Sequence, residues 1–99
     1  MNIYEIKNLP EIDSEIFETL LKYKNVEIKK IISNTLKTPQ TFIQKEDEFV
    51  VLLKGCAKIE INGEIKKLKS GDTLFIPANT PHTLLKTKKI AIWLAVHIY

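Results

Sequence analysis

The sequence contains no arginine: all 15 of its basic residues are lysine. Arginine presents a planar fork to phosphates and guanine edges, so its absence argues against nucleic acid as the partner behind the +3 net charge. Lys66-Lys67-Lys69 and Lys86-Lys88-Lys89 fall where short strands meet turns, and read as solvated residues that deter edge-to-edge aggregation. There is one cysteine, which excludes an internal disulfide. Cys56 lies between Gly55 and Ala57 in an apolar stretch and reads as a buried, inert thiol. The longest apolar run, Ile90 to Val96, is too short to span a bilayer, and residues 1–5 have no basic region leading into an apolar run. No membrane segment or signal peptide is therefore expected, and the expected location is cytoplasmic. Also missing are a glycine-rich phosphate loop, paired cysteines for zinc, a helix–turn–helix and a Gly-x-Ser-x-Gly elbow.

What is present fits one globular domain over residues 1–99, with 44% hydrophobic and 27% charged residues. The spacing predicts one helix over about 13–24: Asp13 or Ser14 can cap it, Glu15 suits its first turn, and Ile16/Leu20 with Phe17/Leu21 form an apolar stripe. From Val26 onward the pattern is one of short strands punctuated by proline and glycine. Phe49 to Leu53 reads as a strand buried on both faces. Asn62-Gly63 marks a hairpin; a three-residue loop including Glu64 would set Ile61 against Ile65 and Glu60 against Lys66. One short N-terminal α-helix followed by about eight strands is an all-β fold, a small barrel or sandwich over about 26–99.

Two segments carry chemistry. Glu48 precedes Gly55 at the end of an apolar strand, and Gly71-Asp72-Thr73-Leu74-Phe75-Ile76-Pro77 leads on to His82. Their order and spacing resemble the two motifs of the cupin superfamily, and the strings around Glu48, His82 and His97 look like those of short single-domain bacterial cupins. The resemblance implies a jelly-roll-like barrel with a divalent metal held inside by histidines and a glutamate. It assigns Glu48 and His82 as ligands, while Phe42 and Gln44 stand where the family has a histidine pair, and Asn79 replaces a motif glycine. Asparagine tolerates positive φ, so that last exchange is compatible with the turn.

The chain has two histidines, His82 and His97. With His97 projecting inward, Glu48, His82 and His97 form a two-histidine, one-carboxylate set suited to iron, and with less discrimination to nickel, manganese or zinc. Gln44 could add a weak oxygen ligand or bind the substrate. The expected function is binding of a divalent metal and a small carboxylate or hydroxy-keto ligand, with metal-dependent catalysis open. The alternative is a metal-free binding or sensory module in which Gln44, Glu48 and His82 hydrogen-bond the ligand. The apolar terminal strand and the resemblance together imply a homodimer.

Overall fold

The structure, a computed structural model, describes residues 1–99 and is built from nine strands with no helix. They are β1 (Ser14–Tyr23), β2 (Val26–Asn34), β3 (Gln40–Phe42), β4 (Asp47–Lys54), β5 (Cys56–Ile61), β6 (Glu64–Lys69), β7 (Thr73–Ile76), β8 (His82–Thr87) and β9 (Ile90–Ile98). A five-stranded sheet in the order β1-β2-β9-β4-β7 faces a four-stranded sheet in the order β3-β8-β5-β6, and all pairs are antiparallel. No helix is long and apolar enough to cross a membrane.

The expected helix at 13–24 is instead β1, paired with β2 from Ser14↔Asn34 to Tyr23↔Val26 with an irregularity between Thr19 and Leu21. Without it, β2 would expose a full row of unpaired N–H and C=O groups, and that row outweighs the weak helix preference of Glu, Leu and Lys. The apolar stripe that suggested a helix is not packed as one, since Phe17, Leu20 and Leu21 are exposed. Asp13 does cap backbone N–H groups, but those of another segment. Its carboxylate accepts from Lys37 N at 2.7 Å, Thr38 N at 3.0 Å and Thr38 Oγ1 at 2.6 Å.

Three smaller expectations also change. Residues Asn62 and Gly63 both have positive φ and form a two-residue turn, so Ile61 pairs with Glu64 and Glu60 with Ile65. This sets apolar against polar without penalty because β6 is an edge strand whose turn end projects past the core, leaving Glu64 and Ile65 exposed. Only one face of β4 is fully buried: Val50 and Leu52 are inside, whereas Phe49 lies on the outer face at 39% exposure. Cys56 is exposed rather than buried, because it opens β5 on the outer side of the four-stranded sheet.

Inside the barrel the side chains change character along each strand. The inward residues of β4 run Leu52, Val50, Glu48, and those of β9 run Ala91, Trp93, Ala95, His97. The apolar members join Leu36, Ile59, Leu84 and others in one buried cluster that fills one end. Full burial of a Leu or Val is worth roughly 1.5–3 kcal/mol, so this end is where the fold is held. Gly55, at φ +98°, lets the chain turn there; a Cβ would lie 2.7 Å from the Ile90 carbonyl oxygen.

Hydrogen bonding to Lys37 and Thr38 holds the Asp13 carboxyl down at about 2, against an ordinary value of 3.8. A depressed carboxyl contributes stability that is present above the ordinary value and lost as pH falls towards the folded one. Asp13→Asn, which keeps the left-handed backbone, is therefore expected to lower the urea midpoint at pH 7, with the deficit closing between pH 4 and pH 2. Equal deficits at both ends of that range would contradict the assignment.

Candidate functional site

The polar end of the barrel surrounds a cavity of about 220 Å³ lined by fifteen residues, eight of them hydrophobic. At roughly 30 Å³ per water, that is room for several waters or one small metabolite. Glu48, His82, His97 and Gln44 all line it, as does Phe42. The register explains the meeting of Glu48 and His97: they are direct cross-strand partners of β4 and β9, pointing to the same face.

His97 lies between two carboxylates. Its Nδ1 is 3.0 Å from Glu46 Oε2, and its Nε2 is 3.8 Å from Glu48 Oε2. A carboxylate can only accept, so Nδ1 carries the proton of the shorter contact. The longer one exceeds hydrogen-bond range. Gln44 Nε2 donates to Glu48 Oε1 at 2.5 Å, so Gln44 positions Glu48 rather than offering its own oxygen there. The imidazole of His82 is held in the same manner as that of His97: Nδ1 donates to the Thr80 carbonyl at 3.0 Å, and the ring stacks on Phe42 at 5.8 Å. No buried side-chain nitrogen or oxygen lacks a partner, so both Nε2 atoms, which have none, are accessible. Each histidine thus turns Nε2 to the cavity while Nδ1 is anchored, and in the neutral ring that Nε2 is an acceptor.

The loop before β8 is built to hold these groups. Ala78 N–H bonds Asp47 Oδ1 at 2.8 Å, and Asn79 N–H bonds the Gln44 carbonyl at 2.7 Å. Asn79 takes φ 58°, the conformation its place in the motif requires. Asp47 therefore turns away to the loop while Glu46 and Glu48 turn towards His97.

Glu48 and His97 face each other as ligands could, but no three His, Cys, Asp or Glu side chains converge closely enough to hold a metal ion. The three-ligand set expected from sequence shares one cavity without forming one coordination shell.

Three charged lining residues lay outside the sequence-derived site: Glu46, Glu15 and Lys29. The first lies with Gln44 in the segment between β3 and β4, where strand alternation does not apply. Glu15 was hidden by the helix reading. It lies on the inward face of β1 and accepts from Ser33 Oγ at 2.5 Å, which itself accepts from Trp93 Nε1 at 3.0 Å.

Burial raises the Glu15 carboxyl above its ordinary 4.5, against the lowering effect of Ser33. A raised carboxyl contributes stability that is complete below the ordinary value and lost as pH rises through the folded one. Glu15→Gln keeps an acceptor for Ser33 and should be more stable than the parent at pH 7, with the gap shrinking below pH 4.5 in urea titrations. A Gln variant that is less stable at pH 7 would show that the carboxylate is compensated.

The cupin-domain family model Cupin_2 matches residues 35–97. A solved structure from Ralstonia eutropha JMP134, provisionally assigned as a mannose-6-phosphate isomerase, is 32% identical with TM-score 0.86, covering 99% of this chain and 95% of that one. An uncharacterized protein of Aquifex aeolicus (strain VF5) is 26% identical over 107 residues, covering 97% of this chain and 88% of its own. The cupin domain of an XRE family transcriptional regulator from Enterobacter cloacae has the same fold, with 15% identity, TM-score 0.73, and coverage of 86% of this chain and 96% of that one. With the family model spanning most of the barrel, and a relative of matching length sharing its fold, the chain belongs to the cupin family.

Proposed function

We propose that the barrel binds a small molecule rich in hydrogen-bond donors, a polyol or an amine, at its polar end. One observation carries this reading: the polar lining mostly accepts. Glu15, Glu46, Glu48 and two imidazole Nε2 atoms face few donors, chiefly Lys29 and a Gln44 amide already committed to Glu48. Carboxylates gathered beside an apolar cavity are costly unless a ligand supplies protons or positive charge. Hydroxyl and ammonium groups do so. A free carboxylate, one of the ligand classes expected from sequence, would meet three glutamates. The provisional sugar-phosphate isomerase assignment of the Ralstonia eutropha relative agrees with a polyol.

A second reading, a divalent cation, is favoured by one distance. His97 Nε2 and Glu48 Oε2, 3.8 Å apart, are the groups that would hold it. Glu46 would then orient His97 from behind, and His82 would need to approach. Such an ion would supply Lewis acidity to a bound oxygen. A cytoplasmic setting accords with the exposed, unpaired thiol of Cys56.

Thermal-shift titration with D-mannose, putrescine and malate, on protein carrying no histidine tag, separates the readings. Mannose or putrescine is expected to raise Tm and malate to leave it unchanged, with the shift lost in Glu48→Gln. Mass spectrometry after soaking with iron(II), nickel, manganese or zinc is expected to find well under one metal per chain. Stoichiometric metal that disappears in His97→Ala, together with a malate shift that requires it, would establish the cation reading instead.

The outer face of the five-stranded sheet supports pairing with a second copy. Leu21, Ile28, Val96, Phe49 and Phe75 are successive cross-strand partners, making one apolar row across all five strands. The half-exposed rings of Phe49 and Phe75 would each gain roughly 1 kcal/mol on leaving water. Light scattering is expected to give twice the mass of one chain, and Phe49→Lys to give a folded monomer. A parent protein already monomeric at high micromolar concentration would rule the pairing out.

A further inference from the structure

The two lysine runs, separated in sequence, converge on the outer face of the four-stranded sheet. β5 lies between β6 and β8, and Lys58 is the direct cross-strand partner of both Lys67 and Lys86. One step along, Cys56 pairs with Lys69, and Lys88 N–H bonds the Cys56 carbonyl. Two rows result, Lys67–Lys58–Lys86 and Lys69–Cys56–Lys88. With strands about 4.8 Å apart and same-face residues about 7 Å apart along them, the backbone positions of five lysines share a patch about 10 Å across.

These lysines flank a groove of about 620 Å³ whose single acidic lining residue is Asp72. One carboxylate oxygen of Asp72 is occupied by the Lys69 N–H at 2.9 Å. None of the five lysines takes part in a salt bridge. Five lysines and one aspartate make the patch +4, more than the +3 of the whole chain, so the remainder of the molecule is slightly acidic. Like charges directly opposite destabilise a sheet, and three in one row are a cost that a counter-charge would remove.

We infer that this face is a binding site for clustered phosphate, a compact polyanion such as a polyphosphate or a multiply phosphorylated metabolite. Ammonium groups bind phosphate as point charges and do not need arginine's fork. The groove has no aromatic residue on which a base could stack, so charge density is what it recognises. The site is separate from the barrel cavity, with which it shares no lining residue.

The probe is inorganic tripolyphosphate, titrated calorimetrically into the full chain at 50 and 200 mM salt. Binding is expected at the lower salt and about tenfold or more weaker at the higher, as several released counterions require. Lys58→Gln/Lys86→Gln should bind at least about tenfold more weakly, whereas Lys7→Gln/Lys45→Gln, outside the groove, should match the parent. The groove double variant should also melt higher than the parent in plain buffer and no longer respond to tripolyphosphate, showing that it folds. Absent binding at 50 mM salt, equal losses in both double variants, or orthophosphate binding as tightly as tripolyphosphate would each overturn the inference. Tight binding of a 20-base-pair DNA duplex that tripolyphosphate fails to displace would overturn it in favour of a nucleic-acid face.

Discussion

Strand β9 is hydrogen-bonded along both edges, to β2 and to β4, and its register with each neighbour fixes what the barrel contains. Ala91 and Ala95, both without solvent exposure, are small enough to let the opposite sheet approach, and Trp93 between them fills the space they leave. Because successive residues of a strand face opposite ways, a slip of one position would turn Trp93 and His97 outward together. The imidazole beside Glu48 and the packed indole are thus two outcomes of one pairing. The turn at Gly55 against Ile90 is the local contact that pins it.

Charge is sorted over the molecule in a way its modest net value conceals. The cavity gathers carboxylates, the outer face of the four-stranded sheet gathers lysines, and the outer face of the five-stranded sheet is largely uncharged. Each region faces a different environment, and the sheet that separates the acidic interior from the basic face is one strand thick. Neutral side chains such as Ile59 and Ala57 insulate the two.

Much of this was legible in the sequence. Strands β2 to β9 follow from alternation and from turn residues, and Glu48 and His82 follow from motif spacing. Strand β1 did not, because the sequence 14–23 carries apolar residues at both periods and the deciding factor, an unpaired edge on β2, is non-local. That one misreading also concealed Glu15, whose inward direction depends on β1 being extended. The partnership of Glu46 with His97 was lost for another reason: residues 43–46 lie between strands, so alternation could not be carried through them. The hairpin at Asn62 was misjudged by assuming that both of its faces meet the core, although an edge strand can outrun what it covers. The three residues expected to hold a metal line one cavity, but shared lining is a weaker condition than a common coordination sphere, and spacing in sequence speaks only to the first.

The division of the barrel into an apolar end and a polar end has a consequence for how such a chain can change. The polar residues of the cavity and the apolar cluster occupy the same strands, and Val50, Ile59, Ile76, Leu84 and Trp93 belong both to the cluster and to the cavity wall. Gln44, Glu46 and His82 line the cavity without belonging to that cluster, so replacing them removes none of its apolar members. The scaffold can therefore explore new ligands by trial at one end without risking collapse at the other. That independence lets one architecture be inherited while its chemistry diverges.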